Sequence, residues 1–226
     1  MSFQVREVGT VEGDGSFIVS VFDAVIPFLE SIGSNEQWGT TLFSHRDGFT
    51  EETLQQVRQS EQLSLTDKKN DENDGLRIFI VERELTDDPL DETSSPTPLR
   101  VHVAADGRRL LSVGFAFVRE DWVPRYIASQ PHLCVERTDT IYLEVIITDS
   151  RVDSSLRHGA GAALLREIQK YGHARQKRVI YLDGWAGNQK KLVRYYEQQG
   201  FQAIDDFSLP RADKAPWLGT LMRMNI

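Results

Sequence analysis

Two apolar, β-branched runs, with a glycine turn and a helical pattern between them, constrain the fold of this sequence most. The first run, IYLEVIIT at residues 141–148, and the second, VIYL at residues 179–182, both predict buried strands. Residues 162–174, between the two runs, place Leu164 and Ile168 on one face of a helix. Because two strands joined through a helix should be parallel neighbours, the sequence predicts a βαβ unit with a right-handed crossover.

The segment RHGAGA, residues 157–162, opens the predicted helix at the carboxyl end of the first strand, where α/β sheets bind ligands. Gly159 and Gly161 let backbone N–H groups approach an anion closely, and the helix adds its positive end. This is a pyrophosphate site in outline, although such a turn also serves merely to pack a helix close to a strand. Two other nucleotide motifs are excluded, because G-x-x-x-x-G-K-[ST] is missing and Leu164 stands at the third glycine position of G-x-G-x-x-G.

With the residues that follow, this stretch resembles the GNAT superfamily of acyl-CoA-dependent N-acyltransferases. The matching pieces are a strand, the turn Gly159-Ala160-Gly161 opening a helix, a second strand, Asn188, and a helix ending in the Y-x-x-x-G-F motif at residues 196–201. One position departs from the family, because Leu156 stands where Gln or Arg is usual, with Arg157 beside it. The resemblance implies an α/β (mixed α+β) fold, in which helices flank a mixed, mostly antiparallel sheet with a parallel pair splayed at the donor site.

The resemblance also implies acetyl-CoA as the co-substrate. It assigns the oxyanion contact to a backbone N–H near Ile146 or Ile147, and the pantetheine contacts to the backbone of the same strand. Asn188 is expected to help hold CoA, to cap its helix, or to do both. The expected donor-binding residues are Ile146, Ile147, Thr148, Arg157, His158, Gly159, Ala160, Gly161, Ala162 and Asn188.

Transfer to an amine needs a base for the amine proton, and the departing thiolate benefits from an acid. The family places a tyrosine at Tyr196 as that acid, and the alternative is a buried tyrosine with a satisfied hydroxyl. Tyr195 is the second candidate if the helix is rotated. Glu144 interrupts an apolar run and is interpreted as the general base. Asp183 follows the second strand, either to shape the acceptor site or as a turn residue.

Three tryptophans, Trp38, Trp122 and Trp185, are candidates for substrate binding, although a lone tryptophan more often packs in a core. All three lie in segments that border the acceptor pocket in the family. No cluster with the spacing of metal ligands appears, so no metal is expected.

The rest of the chain predicts one GNAT-like domain over residues 1–226, with polar insertions near 66–75 and 86–98. Residues 17–22 predict an opening strand, with residues 3–8 competing for that place, and Asp23 predicts the cap of a first helix. A second helix starts at Thr50. The remaining predictions are a strand at 76–82, a hairpin turning at 106–107, a loop at 210–216 and a closing strand at 218–224.

Charge and composition narrow the classes of partner. The net charge is −8, but residues 151–226 carry 13 basic and 7 acidic side chains, so acidity is concentrated in residues 1–150. A polyphosphate would prefer the basic residues 151–226, and a cationic acceptor would prefer the acidic residues 1–150. The alternative is that the charges serve only to keep the protein soluble. So acidic a chain is not expected to bind nucleic acid.

The expected compartment is a reducing one, the cytoplasm or the nucleus. Cys134 is the single cysteine and cannot form an internal disulfide. The sequence shows neither a membrane span nor a secretory signal.

The sequence therefore predicts an N-acetyltransferase that moves an acetyl group from acetyl-CoA to a primary amine by direct attack. A small cationic amine such as a polyamine is the favoured acceptor, and a protein amino group is the alternative. A non-catalytic acyl-CoA-binding regulatory domain is the rival from another class, supported by Leu156. The oligomeric state stays open.

Overall fold

A computed structural model describes residues 3–66, 75–85, 98–212 and 214–226. Within these residues the chain forms eight strands and six α-helices, with a 3-10 turn at Phe43–His45. In chain order they are β1 Phe3–Glu7, α1 Asp14–Ser31, α2 Phe49–Thr66, β2 Leu76–Glu84, β3 Val101–Val103, β4 Arg109–Glu120, α3 Arg125–Ala128, β5 Thr140–Thr148, α4 Ser154–Arg157, α5 Ala160–Ala174, β6 Val179–Trp185, α6 Gly187–Gln198, β7 Gln202–Arg211 and β8 Lys214–Asn225.

All the strands join one sheet in the order β1-β2-β4-β5-β6-β8-β7, with β3 paired on β4. Every pairing is antiparallel except that of β5 with β6, which is parallel. The predicted fold class, a mostly antiparallel sheet with one parallel pair and flanking helices, is thereby confirmed. The predicted βαβ unit corresponds to β5, α5 and β6.

Successive side chains of a strand point to opposite faces of the sheet, so both faces carry apolar residues. Helices cover both faces. One core holds α5 and α6 against side chains such as Leu143 and Leu182. The opposite core holds α1 against Phe115, Phe117 and Ile147. The two faces are called the α5 face and the α1 face below.

The parallel pair β5–β6 opens near its middle. Pairing between the two strands ends at Leu143 and Leu182, although β5 continues to Thr148 and β6 to Trp185. A β-bulge marks the same point, because Val118 of β4 pairs with Leu143 and Phe117 pairs with Val145. Glu144 is therefore the extra residue of β5, which is how a bulge bends one strand away from its neighbour.

The opening strand predicted at residues 17–22 is wrong, because these residues lie inside α1. Its apolar residues follow the helical spacing of three and four, and Phe17, Val21 and Val25 are all buried. The competing segment forms the strand instead, as β1. Asp23 caps no helix, and its carboxylate accepts a hydrogen bond from the backbone N–H of Ser44 at 2.9 Å.

The loop predicted at residues 210–216 is also wrong, because β7 ends at Arg211 and β8 begins at Lys214. Pro210 lies in β7, the edge strand, and Pro216 lies in the part of β8 that precedes its pairing with β6, so a missing N–H is tolerated at both positions. The polar insertions were predicted near residues 66–75 and 86–98. Within them, residues 67–74 and 86–97 lie outside the described residues. The single domain over residues 1–226 stays a prediction.

Candidate active site

A cavity of about 890 Å³ lies where β5 and β6 separate. Its walls come from both strands, from α1, from α6 and from the β7–β8 hairpin. Many residues predicted for the site line it, namely Trp38, Glu144, Ile146, Ile147, Thr148, Trp185, Asn188 and Tyr196. Their binding and catalytic roles stay predictions.

The backbone of β5 is open to a ligand beyond Leu143. Residues 144–148 pair with β4 on one edge, apart from the bulged Glu144. On the edge facing β6, no strand among the described residues pairs with them. Unpaired strand edges present N–H and C=O groups that a bound molecule can satisfy. Ile146, Ile147 and Thr148 can therefore contact an extended ligand in the gap through their backbone.

The glycine turn forms the N-terminus of α5. Gly159 has a φ of 89° and precedes the helix, which starts at Ala160. The backbone N–H groups of Ala160, Gly161 and Ala162 lie in the first turn, where no intrahelical acceptor exists, so they can bind an anion. Gly161 packs closely on α6, because a Cβ at this position would lie 2.6 Å from the hydroxyl of Tyr195 and would require that side chain to shift.

Arg157 is the cation next to this anion site. Its Nε donates to the carbonyl of Val152 at 3.1 Å, and its guanidinium lies 5.4 Å from the ring centre of Phe28 on α1. His158 is exposed and Leu156 packs against the apolar core, so Leu156 does not take the place of a polar anion ligand. Arg83 was not predicted, and it donates to the carbonyl of Leu156 at 2.8 Å.

Tyr196 lies 6% exposed on α6 and faces the gap from the α5 face. Its hydroxyl is protonated at neutral pH, as in an ordinary tyrosine, and burial raises its pKa further, so the group holds a proton that it can donate only to a strong base such as a developing thiolate. Tyr195 also lines the cavity, and the two rings pack edge to face with centres 5.4 Å apart. Sequence alone left these two tyrosines as alternatives, and the structure brings both to the cavity.

Glu144 also lines the cavity, but its carboxylate is engaged. Arg119 Nε donates to Glu144 Oε2 at 2.8 Å, and the Glu144 side chain is 32% exposed. A ligand that contacts the Glu144 carboxylate would therefore share it with Arg119.

Asp183 is the second carboxylate of the cavity. Its Oδ1 accepts hydrogen bonds from Tyr126 Oη at 2.9 Å and from Tyr142 Oη. Burial is the largest influence on its pKa and raises it, despite the two tyrosine hydrogen bonds, which lower it. A carboxyl group with a raised pKa at the wall of a cavity is a candidate for a catalytic acid or base.

The three predicted tryptophans separate into two groups. Trp38 and Trp185 line the cavity, whereas Trp122 does not. Trp122 packs edge to face on Tyr142 with ring centres 5.7 Å apart and lies 5.0 Å from the Arg119 guanidinium. Tyr126, four residues later and on α3, reaches the cavity instead.

Asn188 was predicted to have two roles, a CoA contact and a helix cap; the cap is wrong, and the CoA contact stays a prediction. Its side chain forms no cap bond in α6. The amide nitrogen instead donates to Ser34 Oγ at 2.8 Å and to the carbonyl of Ile32 at 3.3 Å. Asn188 thus ties the start of α6 to the end of α1 at the cavity wall.

The described residues contain neither a candidate metal site nor a membrane-spanning helix. No group of three or more His, Cys, Asp or Glu side chains there could hold a metal ion. Among the same residues, every helix is too short or too polar to cross a membrane.

Comparison with known proteins identifies the fold. No family model and no curated protein sequence matches the chain. Solved structures match over its length: an acetyltransferase of the GNAT family from Streptococcus pneumoniae shares 17% identity at a TM-score of 0.53, covering 100% of both chains. The ribosomal-protein-alanine N-acetyltransferase of Brucella melitensis shares 15% identity at 0.56, covering 99% of each.

A third match is the paia N-acetyltransferase of Thermoplasma acidophilum in complex with coenzyme A, with 14% identity, a TM-score of 0.55 and 100% coverage of both chains. At such low identities, the structural similarity over the whole length shows the fold alone. The protein has the fold of the GNAT acetyltransferases.

Proposed function

We propose that this protein is an N-acetyltransferase that transfers the acetyl group of acetyl-CoA to a primary amine by direct attack. One observation carries the proposal: the gap between β5 and β6, the anion site of α5 and the buried hydroxyl of Tyr196 converge on one side of the sheet. A cavity runs from that gap towards the opposite side, where the carboxylate of Asp183 lies.

The donor would bind from the α5 face. Its pyrophosphate suits the first-turn N–H groups of Ala160, Gly161 and Ala162, with Arg157 adjacent. Its pantetheine arm suits the unpaired edge of β5. A backbone N–H near Ile146 or Ile147 is then placed to bind the developing oxyanion.

In the chemical step the amine nitrogen forms a bond to the thioester carbonyl carbon, and the carbon–sulfur bond breaks. Tyr196 gives its proton to the departing thiolate, and a carboxylate takes the proton of the attacking amine. Acid and base lie on opposite faces of the sheet, so leaving group and nucleophile do not compete for the same space.

We assign the base to Asp183, with Glu144 as the alternative. A base works best when its pKa lies near the operating pH, and burial moves the pKa of Asp183 in that direction. Glu144 is paired with Arg119, which ties up its carboxylate. The sequence favoured Glu144 because only that residue interrupts an apolar run.

A small amine is the favoured acceptor, with a protein amino group as the alternative. The cavity of about 890 Å³ falls within the range that one drug-sized ligand fills, and the thioester arm would take part of it. That division leaves little enclosed space for a peptide. The cytoplasm remains the proposed compartment.

The test is calorimetric titration with acetyl-CoA and with free CoA, followed by thiol-release assays on a panel of amines. Gly159→Ala and Gly107→Ala form a matched pair of variants, since both glycines are left-handed, with φ of 89° and 85°. Each should lose about 1 kcal/mol of folding free energy. Only Gly159→Ala should weaken CoA binding, because Gly107 lies in the β3–β4 hairpin.

Binding without turnover on any amine would favour the rival, a regulatory acyl-CoA-binding domain. Absence of binding to either ligand would contradict the donor site itself.

A further inference from the structure

The two ends of the cavity lie on opposite faces of the sheet. Tyr196 packs in the core of the α5 face together with Leu182. Asp183, the next residue of β6, points to the other face, where it meets the Tyr142 hydroxyl. If the donor enters along α5, the part of the cavity on the α1 face is left for the acceptor.

That part, the acceptor pocket, is lined by Phe28, Ile32, Trp38, Tyr126, Leu209 and Trp217, with Asp183 at its inner end. Its outer wall is held in place by contacts from β7 and β8. Trp217 Nε1 donates to the carbonyl of Gln37 at 3.0 Å, and Arg211 donates to the carbonyl of Glu36 at 2.8 Å. The pocket is therefore built before any ligand arrives.

Charge in the pocket is concentrated at the inner end. Both tyrosine hydroxyls donate to Oδ1 of Asp183, and Oδ2 accepts no hydrogen bond from another side chain in the part of the chain that the structure describes. A second carboxylate, Glu144, also lines the cavity and lies close enough to Asp183 to raise its pKa, but it is paired with Arg119. The other charged side chains lining the cavity are Lys191 and Arg211, both cationic. An ammonium group would find its carboxylate partner at Asp183, because Glu144 already has Arg119 as its partner, and it would meet repulsion or apolar surface at the outer end.

We propose, on the basis of the proposed function, that the acceptor is a small primary amine attached to an apolar body of aromatic size. The ammonium group is received by Asp183, and the body packs against Phe28, Ile32 and Trp38. The polyamine expected from the acidic composition fits less well. The other carboxylate of the cavity, Glu144, lies near Asp183 and is paired with Arg119, so a second ammonium group at the outer end would meet apolar side chains and the cations Lys191 and Arg211.

The experiment compares three acceptors at saturating acetyl-CoA: 2-phenylethylamine, spermidine, and a short peptide with an N-terminal phenylalanine. The informative variant is Ile32→Glu, because Ile32 lines the pocket and is 46% exposed, so the change should not disturb folding. Leu65→Glu is the matched control, since Leu65 is 81% exposed on α2 and does not line the cavity.

The expected result is a higher kcat/KM for 2-phenylethylamine than for spermidine or the peptide. Ile32→Glu should lower kcat/KM for 2-phenylethylamine about tenfold or more, and it should shift the preference towards spermidine. Leu65→Glu should change neither value.

A preference of the unaltered protein for spermidine or for the peptide would overturn the inference and leave the acetyltransferase intact. The inference is also overturned if Ile32→Glu behaves like Leu65→Glu. It is overturned as well if octanoyl-CoA is a better donor than acetyl-CoA, because the pocket would then hold the acyl chain. Absence of CoA binding in calorimetry would instead refute the proposed function, and the inference with it.

Discussion

Replacing Asp183 with asparagine should separate catalysis from stability, because the two depend on its charge in opposite ways. Asparagine keeps the shape of the side chain and an oxygen that can accept from Tyr126 and Tyr142. It cannot take a proton from the amine. Loss of a general base lowers the rate by about a hundred- to ten-thousandfold, which is about 3–5 kcal/mol of transition-state stabilisation.

The effect on folding has the other sign. Burial raises the pKa of Asp183, so its charged form is less favourable in the folded protein than in the unfolded chain. Its contribution to stability is therefore fully present below the unfolded pKa of about 3.9 and is lost as the pH rises through the folded pKa. At pH 7 the Asp183→Asn variant should have a free energy of unfolding equal to or above that of the unaltered protein.

Thiol-release assays would give kcat/KM for each variant, and urea unfolding between pH 4 and pH 8 would give the free energies. Asp106→Asn is the control, because Asp106 is exposed in the β3–β4 turn and Arg108 holds its pKa down. That variant should keep full activity. Full activity in Asp183→Asn, or a joint loss of activity and stability, would refute the assignment of Asp183 as base.

Two further substitutions test the remaining catalytic assignments. Tyr196→Phe should lower kcat about a hundredfold or more and leave acetyl-CoA affinity unchanged in calorimetry, whereas Tyr195→Phe should retain most of kcat. If the two effects are exchanged, Tyr195 is the acid. Glu144→Gln should lower kcat/KM less than tenfold, because its ion pair with Arg119 is partly exposed and Asp183 stays in place. A loss equal to that of Asp183→Asn in the same assay would return the base to Glu144.

The local fold of the β5–α5–β6 segment was predictable because its signals are local, and its donor-binding role stays a prediction. Strand, glycine turn and helix are consecutive in the chain, so periodicity and the positions of Gly159 and Gly161 fix their arrangement without knowledge of the rest. The opening strand at residues 17–22 was predicted from the same kind of local signal, and here the local signal was misleading. A short apolar run satisfies strand and helix periods equally, and only its packing beneath the sheet decides.

The acceptor half could not be predicted, because its contacts join distant segments. Tyr126 and Tyr142 reach Asp183 from positions 57 and 41 residues earlier in the chain. Trp122 was the predicted wall residue of its segment, but it precedes α3 and packs on Tyr142, whereas Tyr126 on α3 lines the cavity. The bulge that makes Glu144 the extra residue of β5 depends on its register with β4.

The start of α6 allows a last prediction about stability near the site. Asn188, Gln189 and Lys190 are left-handed in succession, with φ of 46°, 57° and 58°. Each such residue costs about 1–2 kcal/mol without glycine. Gln189 is exposed, so Gln189→Gly removes that cost while adding about 0.4–1 kcal/mol of freedom to the unfolded chain.

The net change for Gln189→Gly should be a gain of up to about 1.5 kcal/mol in urea unfolding. Glu197→Gly, exposed in the regular part of the same helix, should instead lose about 1 kcal/mol. Opposite signs for one substitution on one helix follow only if the turn is strained. Its strain would be sustained by the Asn188 amide, whose bond to Ser34 holds α6 against α1. Equal losses in the two variants would show that α6 begins as an ordinary helix.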